Sequence, residues 1–229
     1  MNPIILDSFP FELDVSLLLN VVHVEPDDAD GQAVRELAAK ALAVGRPRAL
    51  YREAFIEDRG DDYVVMDGIK LTSRVLAVNL EDVHRVFPYA ATCGVELEEW
   101  ARSIDDPVER FWADTIKETA LGAAAGALSS HVDEEFRPGK TASMNPGSIE
   151  DWPMAQQQQL FALLGNPLES IGVELTDSFL MIPVKSLSGM RFPTEVNFES
   201  CQLCPRKGCP TRGAPYDPEL FDKKYREGA

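Results

Sequence analysis

The sequence lacks most of the signatures by which a chain shows its chemistry. It has no P-loop and no G-x-G-x-x-G after a strand-like run, so neither nucleotide fingerprint is available. No apolar run approaches the roughly eighteen residues of a membrane span, and the opening Met-Asn-Pro-Ile-Ile-Leu-Asp has no basic n-region and no long apolar core. No membrane partner is expected, and the cytoplasm is the expected compartment. Basic residues are scarce: 22 Lys and Arg stand against 38 Asp and Glu, a formal charge of -16. Such a field repels phosphate backbones, so nucleic acid is not an expected partner. The three histidines, His23, His84 and His131, are scattered and stand beside no nucleophile pattern, so each is read as structural. There is no internal repeat and no low-complexity tract.

Cysteine is also rare, but it is concentrated. Three of the four cysteines fall within Cys201-Gln-Leu-Cys204-Pro-Arg-Lys-Gly-Cys209-Pro. A C-x2-C pair lets two sulfurs face one ion across a tight turn, and a third thiolate five residues on can close a third position. Reduced thiols in the expected compartment favour ligation over structural disulfides, although a disulfide with one thiol left over, or three unrelated surface thiols, remain open from spacing alone. Arg206, Lys207 and Arg212 lie beside these cysteines and would depress their thiol pKa values.

With 229 residues, of which 45% are hydrophobic, the chain can bury a substantial core. Residues 1–215 are read as one domain and 216–229 as a C-terminal tail, and the polar stretch from Thr211 to Ala229 is expected to drape over the surface or fray. Phe9 to Leu13 is expected to be extended. Helices are expected over Val15–Val22 with Asp14 as cap, Gly31–Val44, Ser73–Leu80 and Val95–Ile104. Strands are expected over Ala49–Ile56 and Tyr63–Met66 as a hairpin, and over Val83–Cys93, where Pro88 argues for a sheet edge. Cys93 then sits where strand gives way to helix, either as a buried small hydrophobe or as a thiolate favoured by the helix dipole.

The clearest helix start is Asp106 as N-cap, Pro107 at the first position and Glu109 at the third, opening a helix to about Phe136 that spans roughly 40 Å. Its middle, Leu121 to Leu128, holds little side-chain bulk. Interior glycines cost roughly 1 kcal/mol each against Ala, so close packing against the sheet is the expected reason for Gly122 and Gly126, with close approach of a ligand as the alternative. Beyond it, Pro146-Gly147 marks a turn, a helix follows Trp152-Pro153 to about Leu164, and Phe179–Val184 and Lys185–Met190 read as strands.

The run Gly172-Val-Glu-Leu-Thr-Asp-Ser-Phe-Leu-Met-Ile-Pro-Val-Lys-Ser-Leu-Ser-Gly189 resembles the G-x-x-L-T-E-S-x-x-M-x-P-x-x-S-V-S-G signature of the activation domain of vitamin B12-dependent methionine synthase. Asn145-Pro-Gly-Ser-Ile-Glu-Asp-Trp-Pro-Met resembles that domain's P-A-P-G-Y-P-x-C-P loop in order and spacing. The cysteine run resembles the C-x2-C-P-x-x-x-C-P tail of short, free-standing relatives from anaerobic bacteria. The resemblance implies an α+β fold with a twisted antiparallel sheet and flanking helices, which presents S-adenosylmethionine to an inactive cob(II)alamin for reductive remethylation. It makes Pro146, Gly147, Ser186, Ser188 and Gly189 the expected cofactor-binding residues.

The same resemblance implies the cobalamin of a partner protein as the target. The expected partners are a corrinoid protein or methyltransferase and an electron donor protein. It suggests an iron–sulfur cluster, or zinc, on Cys201, Cys204 and Cys209 with Cys93 as a fourth ligand. A non-catalytic zinc-stapled module and an S-adenosylmethionine binder with altered contacts are the alternatives. Where the family's R-x-x-x-G-Y motif has Arg and Tyr, this chain has Ser143 and Ser148, and the helix contacts of the family fall on Gly122 to Gly126. Losing a guanidinium that pairs with a carboxylate should weaken S-adenosylmethionine binding by roughly a few kcal/mol.

Overall fold

The structure is a computed structural model and describes residues 2–226. In chain order the elements are β1 (Ile4–Leu6), α1 (Val15–Val21), α2 (Ala29–Val44), β2 (Arg48–Tyr51), β3 (Ala54–Phe55), β4 (Asp58–Arg59), β5 (Tyr63–Met66), β6 (Ile69–Thr72), α3 (Arg74–Asn79) and β7 (Arg85–Thr92). They continue with α4 (Val95–Arg102), α5 (Pro107–Phe136), β8 (Thr141–Met144), α6 (Gln157–Leu164), α7 (Pro167–Ile171), β9 (Glu174–Leu175), β10 (Met181–Ile182) and β11 (Ser186–Pro193). Short polar side chains start several helices as expected, because their oxygens satisfy first-turn amides. Asp14 accepts from Leu17, Ser73 from Leu76, and Asp106 from both Val108 and Glu109.

The main sheet is antiparallel, in the order β1-β2-β7-β11-β8, with β3 also paired to β7. Smaller sheets are formed by β4-β5-β6 and β9-β10. Helices flank the main sheet, so the α+β class expected from the sequence is the class observed. Alternation along the strands divides the core. From β2 and β7, Tyr51, Phe87, Tyr89 and Ala91 pack with Ala124, Leu128 and Val132 of α5. Leu50, Val86 and Ala90, with Met144, Met190 and Phe192, meet Trp152 and the α6 residues Leu160, Leu163 and Leu164 on the other face. A third cluster joins α1, α2, α4 and the first half of α5, and includes Cys93.

Several expectations are corrected. The strand β7 is central rather than at an edge. Pro88 is accommodated because β2 and β3 are interrupted opposite it; its carbonyl still accepts from the Arg52 amide at 3.1 Å, so only the absent N–H goes unpaired in the ladder. The expected Ala49–Ile56 strand is broken into β2 and β3, and the first strand is Ile4–Leu6, with no strand over Phe9 to Leu13. Close packing does not explain Gly122 and Gly126: both are exposed on α5, and a Cβ on either would meet nothing within 4 Å.

The C-terminal segment does not simply drape. Tyr225 is buried, its hydroxyl donates to Asn79 Oδ1 at 3.0 Å, and its carbonyl accepts from Arg74 Nε at 3.0 Å, which ties the segment to α3. Residues 227–229 of the expected tail lie outside the described residues.

These backbone environments give opposite expectations for three Gly→Ala substitutions. In Gly94, at φ +95, a Cβ would overlap the Arg46 carbonyl oxygen, so Gly94→Ala should cost about 2 kcal/mol or more in urea unfolding. Gly122→Ala and Gly126→Ala should each stabilise by about 0.5–1 kcal/mol. A loss of stability in either helix variant would show that the small-residue face is packed.

Candidate functional site

A cleft of about 750 Å³ opens at the β8 edge of the main sheet. One wall is β8 and the turn after it, contributing Ser143, Asn145, Gly147 and Ser148; the other is the cysteine loop, contributing Cys201, Cys204, Cys209 and Arg206. Strand register decides what faces it. Ser143 pairs with Arg191, and both line the cleft. Gly189, two residues before Arg191, lies on the same face, where its missing Cβ leaves room for the Asn145 amide and the Tyr89 hydroxyl. Asn145 uses that space to donate to Tyr89 Oη at 3.0 Å and to the Ser188 carbonyl at 2.7 Å, which locks its side chain.

The expected cofactor-binding residues therefore divide. Gly147, at φ +84, forms the turn and lines the cleft, while Gly189 underlies Asn145. Pro146 is buried. Period-2 alternation turns Ser186 and Ser188 away: Ser186 donates to Thr92 Oγ1 at 2.8 Å and Ser188 to Gln157 Oε1 at 3.3 Å. Arg191, Asn145, Glu199 and Ser200 were not singled out from sequence. The signal that could have found Arg191 is its spacing of two from Gly189 in a strand-like run.

The three tail cysteines are brought to one cleft, and Cys93 is not. The Cys93 amide donates to the Lys185 carbonyl at 2.9 Å, at the start of β11, whereas the cleft lies by Arg191. Six residues of strand separate these points, roughly 20 Å. Cys93 is fully buried, and burial pushes its thiol up to about 12. It is the buried small hydrophobe of the two readings, and it cannot reach a metal held by the tail. His131 is bonded to the Tyr51 hydroxyl at 2.7 Å, a structural contact.

A single guanidinium organises the cysteine loop. Arg212 donates to the carbonyls of Cys201 at 3.0 Å, Cys204 at 3.1 Å and Ala214 at 3.2 Å, and also to that of Arg206. The Gly213 amide donates to Cys201 Sγ at 3.4 Å, and the Cys209 thiol lies 3.4 Å from Thr211 Oγ1. The Thr211 hydrogen bonds, with Arg206 and Arg212 adding to them, hold the Cys209 thiol below its ordinary value. Three half-buried thiols are the donor set a soft metal or an iron–sulfur cluster takes. They share a cleft but not a coordination sphere: among the described residues no three His, Cys, Asp or Glu side chains are gathered to hold a metal.

No family model matches the chain, and no curated protein matches it. Among solved structures, it is similar to the crystal structure of the MetH reactivation domain bound to AdoHcy, with a TM-score of 0.62 over 87% of this chain and 81% of that one, at 14% identity. The fold is that of a methionine synthase reactivation domain. The reactivation-domain fold is thus kept at a sequence distance where few side chains coincide. Among the described residues no helix is long and apolar enough to cross a membrane.

The contrast between the cysteines is measurable. In metal-free protein, iodoacetamide should alkylate Cys209 with a rate that reaches half its plateau below the ordinary thiol pKa of about 8.5, since its thiolate forms at lower pH. Cys93 should react only after unfolding. Peptide mass spectrometry across pH checks this, and early labelling of Cys93 would contradict its burial.

Proposed function

We propose that this chain is an accessory protein for the reductive activation of a corrinoid-dependent methyltransferase. In this reading the cleft receives an S-adenosyl ligand, and the cysteine loop carries a thiolate-bound iron–sulfur centre beside it. The observation that carries the reading is that the turn resembling the family's ligand loop, Asn145 to Ser148, and all three tail cysteines line one cleft of a reactivation-domain fold. The AdoHcy of the structural neighbour supports an S-adenosyl compound as the occupant.

The chemistry requires two inputs. Cob(II)alamin of the partner takes up one electron, and the resulting nucleophilic cobalt accepts a methyl cation from a sulfonium donor, leaving the thioether. An iron–sulfur centre would supply the single electron, received in turn from a donor protein. Cys201, Cys204 and Cys209 would hold it, and Cys93 takes no part because of its position. Three protein thiolates leave one position for a ligand from outside this set. Nearby Arg206 and Arg212 would raise the potential of such a centre by offsetting thiolate charge. The zinc-staple alternative uses the same three thiols on the loop that Arg212 braces through its carbonyls, and metal content separates the two.

Metal analysis of anaerobically isolated protein tests the redox part. Iron with acid-labile sulfide and a visible charge-transfer spectrum are expected. Ser at Cys201, Cys204 or Cys209 should lower the iron content severalfold, and Cys93→Ala should leave it unchanged. A colourless protein that holds zinc and takes up no iron on reconstitution would overturn the electron-relay role.

A further inference from the structure

The guanidinium missing from position 143 has a counterpart across the strand pair. Ser143 of β8 is registered opposite Arg191 of β11, so the two side chains emerge side by side on the same face. Arg191 lines the cleft and is largely buried, with 12% of its side chain exposed. Its orientation is fixed from α5: Nη2 donates to both carboxylate oxygens of Asp133 at 2.9 Å, and Nη1 donates to Ser129 Oγ. A guanidinium has five N–H groups. Those three bonds leave two uncommitted, one on Nη1 and the one on Nε, and Nε is buried with no partner among the described residues.

A second orphan lies in the same cleft, the buried hydroxyl oxygen of Ser200. Among the described residues five buried side-chain nitrogen or oxygen atoms lack a partner, and two of the five belong to side chains that line this one cleft, which fits a polar ligand there. The charges agree. In a chain of formal charge -16, the cleft is lined by two cations, Arg191 and Arg206, and one carboxylate, Glu199; Asp133, which pairs with Arg191 from α5, offsets part of that guanidinium's charge and leaves Arg206 in the lining unpaired among the described residues. An anion is favoured near the arginines, and a neighbouring ammonium group has Glu199 to meet.

We infer that Arg191, anchored by Asp133 and Ser129, binds the α-carboxylate of an amino-acid-bearing ligand, taking over from β11 the task that the resembled motif gives to an arginine at position 143. Arg191 is a specificity-determining residue for the amino-acid end of the ligand, with Glu199 placed for its ammonium group. This rests on reading the cleft as an S-adenosyl site, and it replaces the weak binding expected from Ser143 with ordinary charge-assisted recognition.

Calorimetric titration of the full chain with AdoHcy and with methylthioadenosine, which lacks the amino-acid end, tests it without altering the protein. AdoHcy should bind at least about tenfold more tightly, the loss expected for a missing charge-assisted pair. In Arg191→Gln the AdoHcy affinity should fall by a similar factor while that for methylthioadenosine stays the same, so that an intact fold is checked by the second ligand. Equal affinities in the unaltered protein, or an Arg191→Gln variant that still prefers AdoHcy, would overturn the role of Arg191 while leaving the S-adenosyl reading in place. No binding of either compound at millimolar concentration would overturn both.

Discussion

The structure depends on the antiparallel pairing of β7 with β11. Six registered pairs, from Ser186 opposite Thr92 to Arg191 opposite Phe87, bury the central strand between α5 and α6. Because side chains alternate, this one register sends Gly189 and Arg191 toward α5 and the cleft, and Ser186 and Ser188 toward the other face. A slip of one residue would reverse all four. The same pairing separates Cys93, at the Lys185 end, from the tail cysteines at the Arg191 end.

That register also explains which parts of the fold and site were legible in the sequence. Elements whose signal is local were readable: the Asp106-Pro107 start of α5, the Asp14 cap of α1 and the Tyr63–Met66 strand all formed where expected. Pro88 misled, because the rule confining proline to edges assumes an unbroken neighbour, and here the neighbour breaks between β2 and β3. Gly122 and Gly126 misled for a related reason: small size permits close approach, but what approaches is decided by elements elsewhere in the chain. In the site, the turn at Gly147 and the cysteine cluster were visible from spacing. Arg191 was not, since its partner at Ser143 is 48 positions away and the pairing exists only in the sheet.

The cysteine loop forms one wall of the cleft at the β8 edge. Its shape is set by Arg212 through backbone carbonyls, so the thiols remain free to face the cleft rather than being needed to close the loop. The Cys204 side also borders an apolar cleft of about 850 Å³ with Met154, Tyr216 and Phe221, and Gly147 and Ser148 border both. The loop therefore forms a shared wall, and a ligand seated against Asn145 and Arg191 would lie in contact distance of a thiol-rich surface. The proposed methyl-donor and electron-relay roles thus draw on residues of the same cleft.

If the cysteine loop is a wall of the cleft that receives the S-adenosyl ligand, bound ligand protects its thiols from alkylation. With metal-free protein and saturating AdoHcy, iodoacetamide labelling of the tail cysteines should slow severalfold relative to unliganded protein, while Cys93 remains unlabelled in both. Unchanged labelling of Cys201, Cys204 and Cys209 under conditions where calorimetry shows AdoHcy bound would place the ligand elsewhere and contradict the account.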